Sequence, residues 1–268
     1  MSIGTIGNAT LTIAADVKKG TFPPIPAALT LNGGVGLFDA ANSNLFRVDG
    51  VDSAGSGNNE NAIGVISSAD DTTVTNAIPP VNVANYTGDG GVTPDVADIS
   101  TDLSGMLETV SGLEGLVSSM SESATDTYTP GFGNSTSIGN IGSSSDYRVV
   151  VVNGDATFGP GTGYGVLLVR GVLTFSGNFN WNGLVLVIGQ GEMHWNGGGL
   201  GEIQGGLFIA KTRDTATASV PLGALRVMRG DIIADFNGGG GAGIVYNTST
   251  IANANSTFPY YQIAVWEY

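Results

Sequence analysis

The sequence has no cysteine and little charge, and each shortage excludes a class of protein. Without cysteine among its 268 residues, the chain has no disulfides and no thiolate metal site. Only 12% of the residues are charged, about half the usual share, so we expect few long helices. The composition still differs from that of a disordered chain, because 41% of the residues are hydrophobic and many fall in apolar runs.

Basic residues are the scarcest charged type. Nine Lys and Arg stand against 23 Asp and Glu, which gives a formal net charge of −14. Nucleic-acid binding is disfavoured because it needs a basic surface, and binding to anionic membrane surfaces is disfavoured for the same reason. No window has the length of a transmembrane helix, and no signal peptide is visible. The export that we predict below therefore requires a segment ahead of Met1.

Glycine, with 43 residues, and apolar tetrads are what the chain has in abundance. The tetrads occupy residues 149–152, 166–169, 184–187 and 207–210, so their starts are 17, 18 and 23 residues apart. Glycine and Asn lie between them, and both residue types tolerate the positive φ of tight corners. A strand-and-turn recurrence near 20 residues is typical of a solenoid, whose rungs bury their apolar sides against their neighbours.

The predicted fold class is therefore mostly β, a β-helix or solenoid-like stack of rungs. The alternative is a β-sandwich or jelly roll, although its strands would recur every 8–12 residues. We predict an N-terminal strand and Pro-rich connector over residues 1–26, and a single β-solenoid body over residues 27–268. Short strands are predicted at residues 28–31, 45–48, 62–66 and 72–75, and the aromatic strand at 261–266 is expected to cap the stack.

One amphipathic helix is predicted near residues 100–121, packed on the body. Seven apolar residues recur there at steps of three and four, which places them on one helical face: Leu103, Met106, Leu107, Val110, Leu113, Val117 and Met120. Ser100 or Asp102 is expected to cap the start of this helix.

Two places have residues that suit a metal ion. Glu192 and His194 are two apart, so they face the same side of a strand, but one His and one Glu are too few ligands. Asp89 and Asp95 flank a glycine-rich loop that suits Ca²⁺ loosely, without the spacing of an EF-hand. All four are weak candidates, and we predict no cofactor, with Ca²⁺ as the alternative.

Catalytic motifs are weak, and we predict a non-enzymatic protein. His194 is the single histidine and has no nucleophile elbow beside it. Lys211 and Arg213 follow an apolar tetrad and are the best candidates for the basic residues of a polysaccharide lyase, unless they belong to a solvated loop.

Three large aromatic residues are candidate contacts for a partner or a glycan. Tyr164, Trp181 and Trp195 all lie within the repeating region. Each suits packing between rungs at least as well. Lys211 and Arg213 are further contact candidates.

Several segments together resemble the C-terminal region of PilX-type pilus assembly proteins of bacteria. They are residues 163–189, 206–212, 236–241 and 251–260, with residues 8–20 and the connector resembling the join between stalk and body. The resemblance implies export and a place in or on a type IV pilus-like assembly. It also implies a hydrophobic N-terminal helix that this sequence does not contain, so membrane attachment is expected only through such a helix.

Three functions follow from these observations. The first is an exported structural or adhesive module of a pilus-like surface assembly, with pilin-like or other surface proteins as partners. The second is a carbohydrate-binding or polysaccharide-cleaving β-helix protein. The third is a self-polymerising extracellular filament subunit, joined through open rung ends or a donated strand over residues 8–17.

Overall fold

A computed structural model describes residues 22–257 with their side chains, and residues 2–6, 9–20 and 260–267 as backbone strands. The strands are β1 (Ser2–Ile6), β2 (Ala9–Gly20), β3 (Ala27–Leu31), β4 (Val35–Asp39), β5 (Arg47–Asp49), β6 (Asn61–Val65), β7 (Tyr86–Thr87), β8 (Val96–Asp98), β9 (Asp126–Tyr128), β10 (Ser135–Ile138), β11 (Arg148–Val152), β12 (Asp155–Phe158), β13 (Gly161–Val169), β14 (Val172–Ser176), β15 (Phe179–Gly189), β16 (Glu192–Asn196), β17 (Glu202–Arg213), β18 (Leu225–Gly230), β19 (Ile232–Asp235), β20 (Gly243–Tyr246) and β21 (Tyr260–Glu267). The helices are α1 (Ser68–Ala77), α2 (Gly105–Glu108), α3 (Val110–Glu122) and α4 (Thr248–Thr257), with a short 3-10 helix over Val83–Asn85.

Parallel sheets make up the body, which confirms the predicted mostly-β class. The larger sheet runs in the order β7-β5-β20-β17-β15-β13-β11-β9, and β3 pairs with both β17 and β6, which in turn pairs with β8. The smaller sheet runs in the order β10-β12-β14-β16-β19-β4. Both are open sheets in the part of the chain described. The early strands β3 to β8 thus extend sheets that the later strands β9 to β20 build.

From β9 to β17, consecutive strands alternate between the two sheets, and this alternation sets the spacing of the tetrads. Val149 pairs with Val166, and Val166 pairs with Leu184, so one circuit of the chain takes 17 or 18 residues, as the sequence predicts. Leu184 pairs with Gly206 rather than with Leu207. The fourth tetrad therefore begins one residue beyond the repeating position.

The strands of the larger sheet are buried on both faces, which explains their unbroken apolar runs. Val185 and Val187 belong to the core between the two sheets. Leu184 and Leu186 point the other way, into a second core that includes Leu113 and other residues of α3. The sequence of these strands therefore shows no alternation of apolar and polar residues, because the side chains on both faces are apolar.

Glycines form a column where the long strands of the larger sheet change direction. Gly165 pairs with Gly183, and Gly183 with Gly205. Their φ angles are 124°, 131° and 147°, a region that favours glycine. A Cβ atom on Gly183 would lie 2.1 Å from the carbonyl oxygen of Gly165, so the stacking itself requires glycine at this position.

The asparagines at the corners do not adopt the positive φ that this residue type tolerates. Every positive-φ residue in the described part of the chain is glycine. Asn178 and Asn180 instead use their Oδ1 atoms as acceptors for the backbone N–H groups of Leu200 (2.7 Å) and Glu202 (3.0 Å) in the next circuit. These side chains tie neighbouring circuits together at the corners.

The helices depart from the predictions in four ways. The helix expected near 100–121 is split into α2 and α3, and Thr109, not Ser100 or Asp102, caps α3 by accepting a hydrogen bond from the Gly112 N–H. The strand predicted at 72–75 is helix α1, and α4 was not predicted. In the described residues, no helix is long and apolar enough to cross a membrane.

The C-terminal strand lies in a separate sheet. β21 pairs antiparallel with β2, and β2 also pairs with β1. The predicted cap and the predicted division of the chain after residue 26 stay predictions.

Candidate functional site

One connection between the two sheets is much longer than its neighbours. β11 is joined to β12, β13 to β14, and β15 to β16 by two residues each. The equivalent connection from β17 to β19 takes residues 214–231 and contains β18, which pairs antiparallel with β17. We call residues 214–231 the corner insertion. Long insertions in stacked folds are commonly where binding occurs.

The corner insertion has an exposed apolar surface, with charged residues of both signs around it. Val227 is 97% exposed and Met228 is 76% exposed. Arg226 and Arg229 lie beside them, and Arg226 makes an ion pair with Asp214. A surface of this kind suits a partner that offers an apolar patch.

The Arg213 side chain forms an ion pair with helix α3. It donates hydrogen bonds to the Glu114 carboxylate at 2.6 and 3.0 Å, and Thr212 donates a third at 2.6 Å. Arg170 donates to the same carboxylate at 3.3 Å. Lys211 makes no ion pair within residues 22–257. Of the two predicted cations, Lys211 is therefore the one available to a partner.

The charges around Glu114 stabilise one another. Burial alone would raise the pKa of Glu114, but the hydrogen bonds from Arg213 and Thr212 and the two guanidinium charges lower it. Burial and the neighbouring charge of Arg213 lower the pKa of Arg170. The group holds α3 against the ends of the strands, which is a structural role.

The structure brings the predicted pair Glu192 and His194 together on the outer face of the smaller sheet. His194 Nε2 lies 2.8 Å from Glu192 Oε1, and its Nδ1 lies 3.3 Å from Asp235 Oδ2 on the adjacent strand. Burial alone would lower the pKa of His194, but the two carboxylates raise it. Asp235 was not predicted, because it follows Glu192 by 43 positions and reaches it only through strand pairing.

The loop that holds Asp89 and Asp95 is stabilised by its own backbone. Asp95 is buried and accepts a hydrogen bond from the Gly90 N–H at 3.2 Å. Burial raises its pKa despite that bond. Within the described ranges, no group of three His, Asp or Glu side chains is arranged to hold a metal ion. Calcium binding at this loop stays a prediction.

Two of the three predicted aromatic contacts lie inside the protein. Trp181 and Trp195 are 0% exposed and pack with Phe158 and Phe175 between the sheets. They cannot contact a partner, so the alternative reading, packing between circuits, is the correct one. Tyr164 is half-buried on the outer face of the larger sheet, with its ring 5.7 Å from that of Tyr147. It lines a shallow polar groove with Asn180, Asn182, Glu202 and Gln204, among others.

A deeper cleft of about 350 Å³ lies beside the corner insertion. Its floor is the row of short two-residue corners, and its walls are the two longer connections on either side. The floor consists of Gly154, Asp155, Val172, Gln190 and Glu192, and the walls are residues 130–134 and Thr215, Ala216 and Pro221. We call it the corner cleft. No pattern in the sequence predicts this cleft, because its residues come from five separate connections.

Comparisons with known proteins assign the chain to no family. No protein-family model, curated protein or solved structure matches it.

Proposed function

We propose that this chain is an exported, non-enzymatic structural and adhesive module of a pilus-like surface assembly. We infer that its sheets are the sides of a β-helix, in which each circuit of the chain is one rung. The 17- and 18-residue register, the alternation between sheets and the glycine column all support that inference. A rod of this kind is rigid because every rung is hydrogen-bonded to the next.

The observation that carries the proposal is the meeting of the two chain ends. β2 and β21 pair over eight positions, from Ile13 with Glu267 to Gly20 with Tyr260. The connector and helix α4, which lead into those strands, line a single cleft of about 550 Å³. The chain thus enters the body and leaves it at the same place. The body would then be a head, and the paired N- and C-terminal strands its stalk. Such an arrangement suits display on an assembly.

The corner insertion supplies the contact surface that an assembly needs. Val227 and Met228 are exposed on this insertion, and Lys211, which pairs with Gly230 of the insertion, makes no ion pair within residues 22–257. Together they suit a pilin-like partner that offers an apolar patch beside an acidic group. The Arg213 side chain is bound to Glu114, so of the two basic residues considered for a polysaccharide lyase only Lys211 is free of an ion pair in the described structure.

Self-polymerisation through the rung ends is a weaker alternative. The outermost strands β7, β8, β9 and β10 have two to four residues each, and short edges are poor templates for strand addition. Helix α1 lies against the edge strand β4, where Asp70 Oδ1 accepts a hydrogen bond from the Val35 N–H at 2.8 Å.

Immunogold electron microscopy of intact source cells tests the proposal. Antibodies against the folded protein are expected to label surface filaments, and the label should disappear from cells that lack the pilus assembly machinery. Label confined to the cytoplasm would overturn the proposal. A Val227→Ser, Met228→Ser variant is expected to lose filament association, whereas Leu200→Ser, which changes an exposed leucine elsewhere, should retain it.

A further inference from the structure

The corner cleft has the shape and polarity of a small-ligand site. Its volume of about 350 Å³ falls at the lower end of the range for ligand pockets, roughly 300–1,000 Å³. The floor of the cleft consists of tight turns between paired strands, so its backbone is held in place. The two walls are longer connections whose length and sequence are less constrained by the strand pairing. The site is therefore held on rigid elements, as a specific binding site requires.

Two carboxylates at the floor have oxygens left for a ligand. Asp155 uses Oδ1 to accept a hydrogen bond from the Val172 N–H at 2.9 Å. Glu192 uses Oε1 for His194. The second oxygen of each carboxylate makes no hydrogen bond within residues 22–257. An ionised carboxylate only accepts hydrogen bonds, so the ligand must bring donors and must not be acidic.

The walls add an apolar surface and further polar groups. Phe132 is 49% exposed at the rim, and an exposed ring offers a flat apolar face. Asn134 and Thr215 supply an amide and a hydroxyl group from opposite walls. A ligand that matches these groups has many hydroxyl donors and one apolar face, which is the chemistry of a sugar ring.

The two carboxylates lie on strands of the same sheet. Asp155 lies beside Val172, and Val172 pairs with Glu192, so the two acids are two strand spacings apart, roughly 9–10 Å between backbones. A ligand of sugar size can therefore contact both at once.

We propose that the corner cleft binds a short neutral or amino-sugar oligosaccharide. This site is distinct from the polar groove at Tyr164. The proposal goes beyond the pilus-like role and does not depend on it, because binding is measured on the purified protein whatever its location in the cell.

A glycan array followed by titration calorimetry tests the proposal. The full chain is expected to bind neutral or amino-sugar oligosaccharides and to leave uronic-acid oligosaccharides unbound. Phe132→Ala and Asp155→Asn should each weaken binding about tenfold, the loss expected for one good contact or charged hydrogen bond. Asp155→Asn keeps the acceptor for the Val172 N–H, so the fold is retained, and thermal melting checks this for each variant.

Tyr164→Ala and Leu200→Ala are the matched controls and are expected to bind like the wild type. Four results would each overturn the proposal: no saccharide binding, a preference for uronic acids, a loss of binding in Tyr164→Ala with none in Phe132→Ala, or binding only of lysine-rich peptides.

Discussion

The Glu114 carboxylate in α3 and the Arg213 guanidinium at the end of β17 are joined by two hydrogen bonds of 2.6 and 3.0 Å. The two residues are 99 positions apart, and both side chains are largely buried, at 15% and 19% exposure. Their contact holds α3 over that face of the larger sheet, where α4 also packs. A charge pair in this setting is costly to break, because the remaining partner stays buried without compensation.

Replacement of Glu114 by Gln should therefore destabilise the protein. We expect the free energy of unfolding to fall by about 3 kcal/mol, because Arg170 and Arg213 would then face each other without the carboxylate. Urea unfolding followed by circular dichroism measures the loss. Glu122→Gln, on the exposed side of the same helix, is the control. A loss of less than about 0.5 kcal/mol, as for an ordinary surface change, would contradict this role of Glu114.

The glycine column gives a second prediction. Gly183→Ala should destabilise the protein by at least about 2 kcal/mol, since the new Cβ would lie 2.1 Å from the Gly165 carbonyl oxygen and the φ of 131° disfavours alanine. Gly159→Ala is the control, because a Cβ there meets nothing within 4 Å. Thermal melting of both variants checks the difference, and equal melting temperatures would show that the strands do not stack closely at Gly183.

The sequence predicted the repeating strands better than the connections between them. The tetrads identified β11, β13, β15 and β17, because a strand buried on both faces is apolar throughout. The sequence could not separate buried from exposed aromatic residues. Tyr164, Trp181 and Trp195 all lie within the repeating region, and only the three-dimensional structure shows which face of its strand each side chain takes. The sequence also did not predict that Asp235 lies beside His194. Parallel pairing brings these residues together from distant positions, and no local sequence pattern indicates which strands will pair.

Asp52 locks a loop to the start of helix α4. It accepts hydrogen bonds from Ser56 and from the Thr248 backbone and hydroxyl, at 2.8 to 2.9 Å. Burial alone would raise the pKa of Asp52, but these bonds hold it well below its ordinary value of 3.8. A carboxyl group whose pKa is lowered by folding contributes stability above its unfolded pKa and loses it as the pH falls.

Asp52→Asn should accordingly lower the free energy of unfolding by about 2 kcal/mol at pH 7. The difference from wild type should shrink as the pH falls below about 3.8. Denaturant unfolding from pH 7 to pH 2 measures this, with Asp102→Asn at an exposed position as the control. A difference that stays constant or grows as the pH falls would rule out the lowered pKa.

His194 gives the most direct test of the outer face of the smaller sheet, because it is the single histidine of the chain and its imidazole resonances are unambiguous. Glu192 and Asp235 raise its pKa above the ordinary value of 6.5, so the protonated form stabilises the fold fully below pH 6.5, and this contribution is lost as the pH rises through the folded pKa. We expect NMR titration to give a pKa above 6.5, and Glu192→Gln and Asp235→Asn each to lower it, whereas Glu202→Gln on the larger sheet should leave it unchanged. A wild-type pKa at or below 6.5 would mean that the two carboxylates do not flank the ring in solution.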